Sequence, residues 1–204
     1  IEEKTATIQE DYRKNLIKDD GKIKNIYLIK KDDIHDNYLQ VINQYATDEG
    51  QRSNRYDVTI LVNGLPLVHV ELKRRGVAIQ EAFNQINRYQ RESFWADSGL
   101  FEYVQIFIIS NGTHTKYYSN TTRFQHIKEI NERSSSKGIK TSNSFEFTSW
   151  WADETNKPII DLIDFTKTFL AKHTILNVLT NQLFESLATL LQTFENVNCI
   201  LSNQ

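Results

Sequence analysis

The chain predicts an α/β fold, a central mixed β-sheet flanked by helices, and three observations carry that expectation. Residues 54–73, NRYDVTILVNGLPLVHVELK, alternate apolar and polar positions on both sides of Asn63-Gly64, the pattern of two strands joined as a hairpin. Residues 77–93 follow with helical spacing, placing Ile79, Ala82, Phe83, Ile86 and Tyr89 on one side. Residues 103–110, YVQIFIIS, are nearly continuous apolar, as in a central strand buried on both faces. After a turn at Asn111-Gly112-Thr113, residues 115–119 (TKYYS) supply one more strand.

The other elements follow in chain order. Residues 1–18 carry scattered apolar positions (Ile1, Ile8, Tyr12, Leu16, Ile17) and predict a helix with one buried stripe, stopped by Asp19-Asp20-Gly21. Residues 23–29, IKNIYLI, predict a strand entering the core. Residues 38–45 have helical spacing through Leu39, Val41, Ile42 and Tyr45, and 48–55 form a polar loop leading to the hairpin. Residues 131–144, NERSSSKGIKTSNS, are low in complexity and predict a surface loop, with the aromatic segment 145–151 docking the chain after it. Lys157-Pro158 opens a helical pattern through Ile160, Leu162, Ile163, Phe165 and Phe169, and 176–191 is a last helix, strongly apolar towards its end. No internal repeat is present.

Composition narrows the class. The 204 residues suit one domain, or one domain with a helical appendage. Hydrophobic residues at 39% and charged residues at 25% are ordinary for a globular chain, and no run of about 18 apolar residues could span a bilayer. No basic-plus-apolar secretory signal opens the sequence. The single cysteine, Cys199, excludes an intrachain disulfide framework and a cysteine zinc site, and fits a reducing compartment such as the cytoplasm. A net charge of -2 excludes a chain coated in basic charge, but leaves room for a local patch that binds nucleic acid.

The chemistry concentrates on the hairpin. Asp57, Glu71 and Lys73 form the pattern Asp-x13-Glu-x-Lys across it. Two carboxylates converging on one point repel unless a cation lies between them or one stays protonated. A hard divalent cation such as Mg2+ satisfies them, with main-chain carbonyls and water completing the oxygen shell. Lys73 shares the face of Glu71 and could orient a water or offset charge on an attacked phosphate. The same residues also fit a plain solvent-exposed cross-strand ion pair. Parity separates the two readings, because each one-residue step along a strand flips the face. A two-residue turn would pair Asp57 with Val70 and send Glu71 to the opposite side. A shared site therefore needs an odd connection or a bulge, and the expected geometry is a three-residue loop with left-handed Gly64.

The triad resembles that of the PD-(D/E)xK nuclease superfamily, with Tyr56 where the superfamily's Pro would stand. Residues 85–89, QINRY, resemble the Gln-xxx-Tyr motif of its RecB-like branch. The stretch NRYDVTILVNGLPLVHVELKRRGVAIQEAFNQINRY is similar to the nuclease domain of the HsdR (motor/restriction) subunit of type I restriction enzymes. The likeness continues through KIKNIYLI, FIISNGT, YYSNTT and KHTILNVL, over roughly residues 20–179. It implies a restriction-endonuclease-like core over residues 1–180, with a divergent helical C-terminal segment over 181–204. It also implies Asp57 and Glu71 as Mg2+ ligands, Lys73 as the catalytic lysine, and Gln85 and Tyr89 positioning the scissile strand and that lysine. In the family a preceding helix often contributes a further acidic residue; here Glu2, Glu3 or Glu10 would substitute for it, or cleavage would be weakened.

The activity implied is Mg2+-dependent cleavage of double-stranded DNA, away from the recognition sequence and after translocation stalls. Modification and specificity subunits would be the partners. These residues contain no Gly-xxxx-Gly-Lys-Ser/Thr phosphate loop, so ATP hydrolysis is not expected of them. The competing reading is a noncatalytic nuclease-fold module for DNA binding or subunit docking; dependence of activity on a metal separates the two. Arg74, Arg75 and Arg88 flank the triad and suit phosphate contacts, as Arg55 and Arg91 could, although ordinary solvated charges fit equally. His69 suits a supporting or DNA-contact role, or a plain exposed or half-packed histidine. Trp95, Trp150 and Trp151 fit packing better than stacking on splayed bases.

Overall fold

The computed structural model describes residues 2–47, 54–89, 99–121 and 144–180. In chain order these form α1 (Glu2–Gln9), β1 (Arg13–Ile17), β2 (Ile23–Tyr27), β3 (Leu39–Thr47), β4 (Asn54–Val62) and β5 (Leu65–Leu72). Then follow α2 (Gln80–Tyr89), β6 (Ile106–Ser110), β7 (Thr115–Ser119), β8 (Trp151–Ala152), β9 (Pro158–Ile159), α3 (Leu162–Thr168) and α4 (Lys172–Thr180). A five-stranded sheet in the order β3-β4-β5-β6-β7 is the centre of the fold. Strands β5 and β6 run parallel, which requires the crossover that α2 provides, and the other neighbours are antiparallel. The mixed α/β architecture is the expected one.

Consecutive residues of β6 divide between two apolar clusters, as opposite faces of a sheet require. Ile106 and Ile108 join Ile60, Val62, Val68 and Val70 beneath α1, α3 and α4, which contribute Ile8, Phe165, Ile175, Leu176 and Leu179. Phe107 and Ile109 join Tyr56, Tyr118 and the inner side of α2, namely Ala82, Phe83, Ile86 and Tyr89. Asp161 caps α3 by accepting from the Ile163 and Asp164 amides.

Several elements depart from the expected ones. The N-terminal helix ends at Gln9, and Arg13–Ile17 pairs as β1 with β2 in a separate two-stranded sheet. Leu16, Ile17 and Ile23 are therefore exposed, and Ile29, just beyond β2, is the residue that enters the core. Residues 38–45 are not helical. The eight pairs of Leu39–Thr47 with β4 make an edge strand there, cross-strand pairing overriding a local spacing that fits either element. The aromatic segment does dock, Phe145 lying 5.5 Å from Phe83 and Trp151 lying 5.1 Å from Phe169. The expected loop over residues 131–144 lies outside the described residues but for Ser144, as do the segment 181–204 and Trp95.

The hairpin also differs from the expected three-residue loop. Asn63 (φ 52) and Gly64 (φ 88) are both left-handed, the signature of a two-residue primed turn. Val62 pairs with Leu65 and Leu61 with Pro66, but Ile60 pairs with Val68, so Leu67 is an extra residue on β5. That bulge explains why the adjacent Leu67 and Val68 are buried in the same cluster. It restores the parity that the two-residue turn removes. In the resulting register His69 faces Thr59 and Val70 faces Val58, which brings Glu71 level with Asp57. Asn63 is held in place by its side chain, which accepts from the Tyr38 amide and donates to Asn37 Oδ1, each at 2.8 Å.

Candidate active site

The site lies where β4 and β5 separate. The paired residues of the two strands end at Val58 and Val70, and the Leu72 N–H beyond them donates to Asp57 Oδ2 at 2.8 Å. A carboxylate thus takes a donor that a continuing ladder would give to main chain. Glu71 follows from the interior and is wholly buried, because parallel pairing with β6 sets it beside Ile109. Lys73 is the first residue past the strand, its amide donating to the Ser110 carbonyl at 2.8 Å.

From that anchor the Lys73 ammonium turns back over the site. Its Nζ donates to Glu71 Oε1 at 2.9 Å and to Gln85 Oε1 at 2.6 Å. Gln85 and Tyr89 are one turn apart on α2, and Gln85 Nε2 donates to the Tyr89 hydroxyl at 2.5 Å. The hydroxyl in turn donates to the Arg55 carbonyl at 3.1 Å. The chain Glu71–Lys73–Gln85–Tyr89–Arg55 therefore ties the end of β5, the helix α2 and the start of β4 into one network. The amphipathic spacing of α2 makes this possible: Ala82, Phe83 and Ile86 seat the helix on the sheet, which aims Gln85 and Tyr89 at Lys73.

Burial and the proximity of the two carboxylates set the electrostatics of the site. Burial holds the Asp57 carboxyl above the usual carboxylate range, and the neighbouring Glu71 charge adds to this against the pull of the Leu72 amide and Lys73. Tyr89 is pushed up to about 12, first by burial and then by the Glu71 charge. Glu71 Oε2 is buried and accepts no hydrogen bond among the described residues; the His69 Nε2 atom stands 3.6 Å from it. A buried carboxylate oxygen without a donor is costly unless something electropositive meets it. This fits a hard cation between Glu71 and Asp57, the oxygen donors such an ion prefers. Among the described residues no group of three or more His, Cys, Asp and Glu side chains is placed to hold a metal.

All five residues of the expected catalytic set thus meet in space. Arg74 and Arg75 follow Lys73 and are exposed, while Arg88 is exposed on α2 with its guanidinium 5.8 Å from the Tyr89 ring centroid. His69 is not an exposed or half-packed histidine. It is fully buried, edge-on to Tyr56 at 5.8 Å and to Tyr89 at 6.1 Å. Glu10 is exposed after a helix whose Ile8 packs in the cluster on the other side of the sheet. The Arg55 carbonyl, a main-chain acceptor, has no signature in a list of side chains. The start of β4 at Asn54 was its one available signal.

Comparison with known proteins accords with this geometry. Residues 1–126 match the family described as type I restriction enzyme R protein N terminus. The chain belongs to that R-protein N-terminal family. It is 51% identical over 192 residues to the type I restriction enzyme EcoprrI endonuclease subunit of Escherichia coli, covering 94% of this chain and 56% of that protein. The SsaAORF53P endonuclease subunit of Staphylococcus saprophyticus is 44% identical over 147 residues, 71% of this chain and 13% of that protein. The SauCOLORF180P endonuclease subunit of Staphylococcus aureus (strain COL) is 44% identical over 134 residues, with 66% and 12% covered. The R-protein N-terminal chain thus spans about half of one relative and about an eighth of the others. Because 94% of the chain aligns with the E. coli subunit, the likeness runs past residue 180. No helix among the described residues is long and apolar enough to cross a membrane.

Proposed function

We propose that this chain is the Mg2+-dependent endonuclease domain of a type I restriction enzyme R subunit, hydrolysing phosphodiester bonds of double-stranded DNA. The observation that carries the reading is the hydrogen-bonded run from Glu71 through Lys73 and Gln85 to Tyr89, beside the half-buried Asp57 carboxylate that takes the Leu72 N–H. A structural ion pair would need neither the second carboxylate nor the helix behind the lysine. The names of the relatives, all endonuclease subunits, support the same reading.

Asp57 and Glu71 would hold Mg2+. When bound, Mg2+ lowers the pKa of a water and offsets negative charge on the attacked phosphate. Lys73, bonded to Glu71 and steered by Gln85, would place its ammonium where the nucleophile approaches and the phosphate gains charge. Tyr89 fixes Gln85 by accepting its amide proton while anchored to the Arg55 carbonyl. Arg74, Arg75 and Arg88 meet backbone phosphates without reading sequence. Residues 1–180 would form this domain, with 181–204 its C-terminal segment. Its cytoplasmic setting and its pairing with modification and specificity subunits would belong to the larger assembly.

Cleavage of supercoiled plasmid tests the proposal. Mg2+-dependent nicking by the chain, or by the assembly containing it, should vanish in Asp57→Ala and Lys73→Ala. Variants that cut as fast as wild type in the assembly would leave a noncatalytic module instead.

A further inference from the structure

Gln44 sits inside the edge strand β3 with φ 53, a left-handed conformation that strands lack and that side chains disfavour. The pairs Asn43–Val58 and Tyr45–Tyr56 flank it, so Gln44 stands directly across from Asp57. Both strands change face at that point. Leu39 and Val58 pack with the cluster beneath α3 and α4. Tyr45 and Tyr56, an even number of residues further along, should follow them in a regular ribbon. Instead Tyr45 stacks on Tyr56 at 6.3 Å and on Phe101 at 5.9 Å, and Tyr56 belongs to the cluster beneath α2. The switch coincides with the place where β4 parts from β5 and the Asp57 carboxylate takes the Leu72 N–H.

We infer that the left-handed backbone at Gln44 is a positioning device for the candidate site. It turns the β3–β4 ribbon by one face at Asp57. The carboxylate then bends against Leu72, beside Glu71, and Tyr56 is carried over to support Tyr89, whose ring lies 5.0 Å away. The Gln44 side chain is exposed, so the requirement falls on its backbone and not on its amide. Irregularities of this kind on an edge strand re-aim a neighbouring side chain. The inference rests on Asp57 being a member of the site, as proposed above.

The Leu72 amide reports the geometry directly, without metal or activity. Its NMR resonance and hydrogen exchange are to be compared in wild type, Gln44→Gly, Gln44→Asn, Gln44→Ala and Gln44→Val, with Asp57→Ala defining the lost contact. Gly and Asn tolerate the left-handed region and should leave the Leu72 amide at its wild-type position. Val should move it towards the Asp57→Ala value and lower Mg2+-dependent cleavage roughly 10–100-fold, the usual effect of displacing a ligand's support. Ala should shift the amide part of the way, which keeps the test decisive if Val fails to fold. A Leu72 amide unmoved by Val and Ala, or moved fully by Gly, would overturn the inference. Wild-type cleavage by Asp57→Ala would instead remove the catalytic reading of Asp57, whatever the Leu72 amide does.

Discussion

Glu71→Gln separates a metal-holding carboxylate from a structural one. The substitution keeps the shape of a wholly buried side chain and removes its charge. In chelator two effects oppose. Losing the charge-assisted bond from Lys73 at 2.9 Å costs about 1.5–3 kcal/mol. Against it, an ionised group no longer has to be desolvated, a penalty of several kcal/mol, and repulsion on Asp57 is relieved. The metal-free variant should therefore lie within about 2 kcal/mol of wild type, in either direction. With Mg2+ the two proteins part. A ligand at a hundred times its Kd stabilises by about 2.7 kcal/mol. For a chain of this size that is roughly 5–10 °C in Tm. Wild type should show that rise in a calorimetric melt with saturating Mg2+, and Glu71→Gln should show none. A full Mg2+ shift in the variant would refute the ligand assignment. A loss above about 4 kcal/mol in chelator would mark Glu71 as a structural partner of Lys73, the size expected for breaking a buried ion pair.

Three further outcomes follow from the same geometry. Gln85→Ala removes the acceptor 2.6 Å from Lys73 Nζ and should slow plasmid nicking roughly 10–100-fold while Mg2+ binding, read by calorimetry, persists. Tyr89, raised to about 12 from an ordinary 10.0, favours the folded chain in its neutral form; that contribution is complete below pH 10 and is lost as pH rises towards 12. Melting of wild type relative to Tyr89→Phe should therefore fall across that window and stay level below it. Asn37, buried far from the triad, bonds the Lys30 amide and carbonyl, the Ile34 carbonyl and Asn63 Nδ2. Asn37→Ala should cost about 3–4 kcal/mol in denaturant unfolding, at about 1 kcal/mol for each bond, and leave the Mg2+ shift intact.

Much of the site was legible because its residues sit on elements with strong local signals. Asp57 and Glu71 lie on strands whose alternation is unambiguous, Lys73 follows directly on one of them, and the apolar stripe of α2 fixes which side Gln85 and Tyr89 face. What escaped was set by partners distant in sequence. Leu39, Val41, Ile42 and Tyr45 fit a helix or an edge strand equally, and only the presence of β4 decides. Leu16, Ile17 and Ile23 suggest a buried stripe and a core strand, yet they belong to a peripheral hairpin and stay in water. His69 resembles a solvent-face residue because β5 alternates around it; its burial comes from α2 and β6 covering that side.

Both faces of a regular hairpin are fixed by counting residues, and by that count this site should not exist. The Asn63-Gly64 turn puts Asp57 and Glu71 on opposite sides, and unbroken alternation would leave Asp57 in the ladder. Two single-residue irregularities undo the count. Leu67 adds one residue to β5 and brings Glu71 level with Asp57. Gln44 turns the outer strand just across from Asp57, where the ladder ends and the Leu72 amide is captured. Leu67 is affordable because its side chain is wholly buried in the core. Gln44 has no such return, since its side chain is exposed and its backbone is strained. Strain without a packing gain persists where the surrounding structure enforces it, and such residues cluster at functional sites. That difference makes the edge strand, rather than the turn, the more informative place to perturb the geometry of the carboxylates.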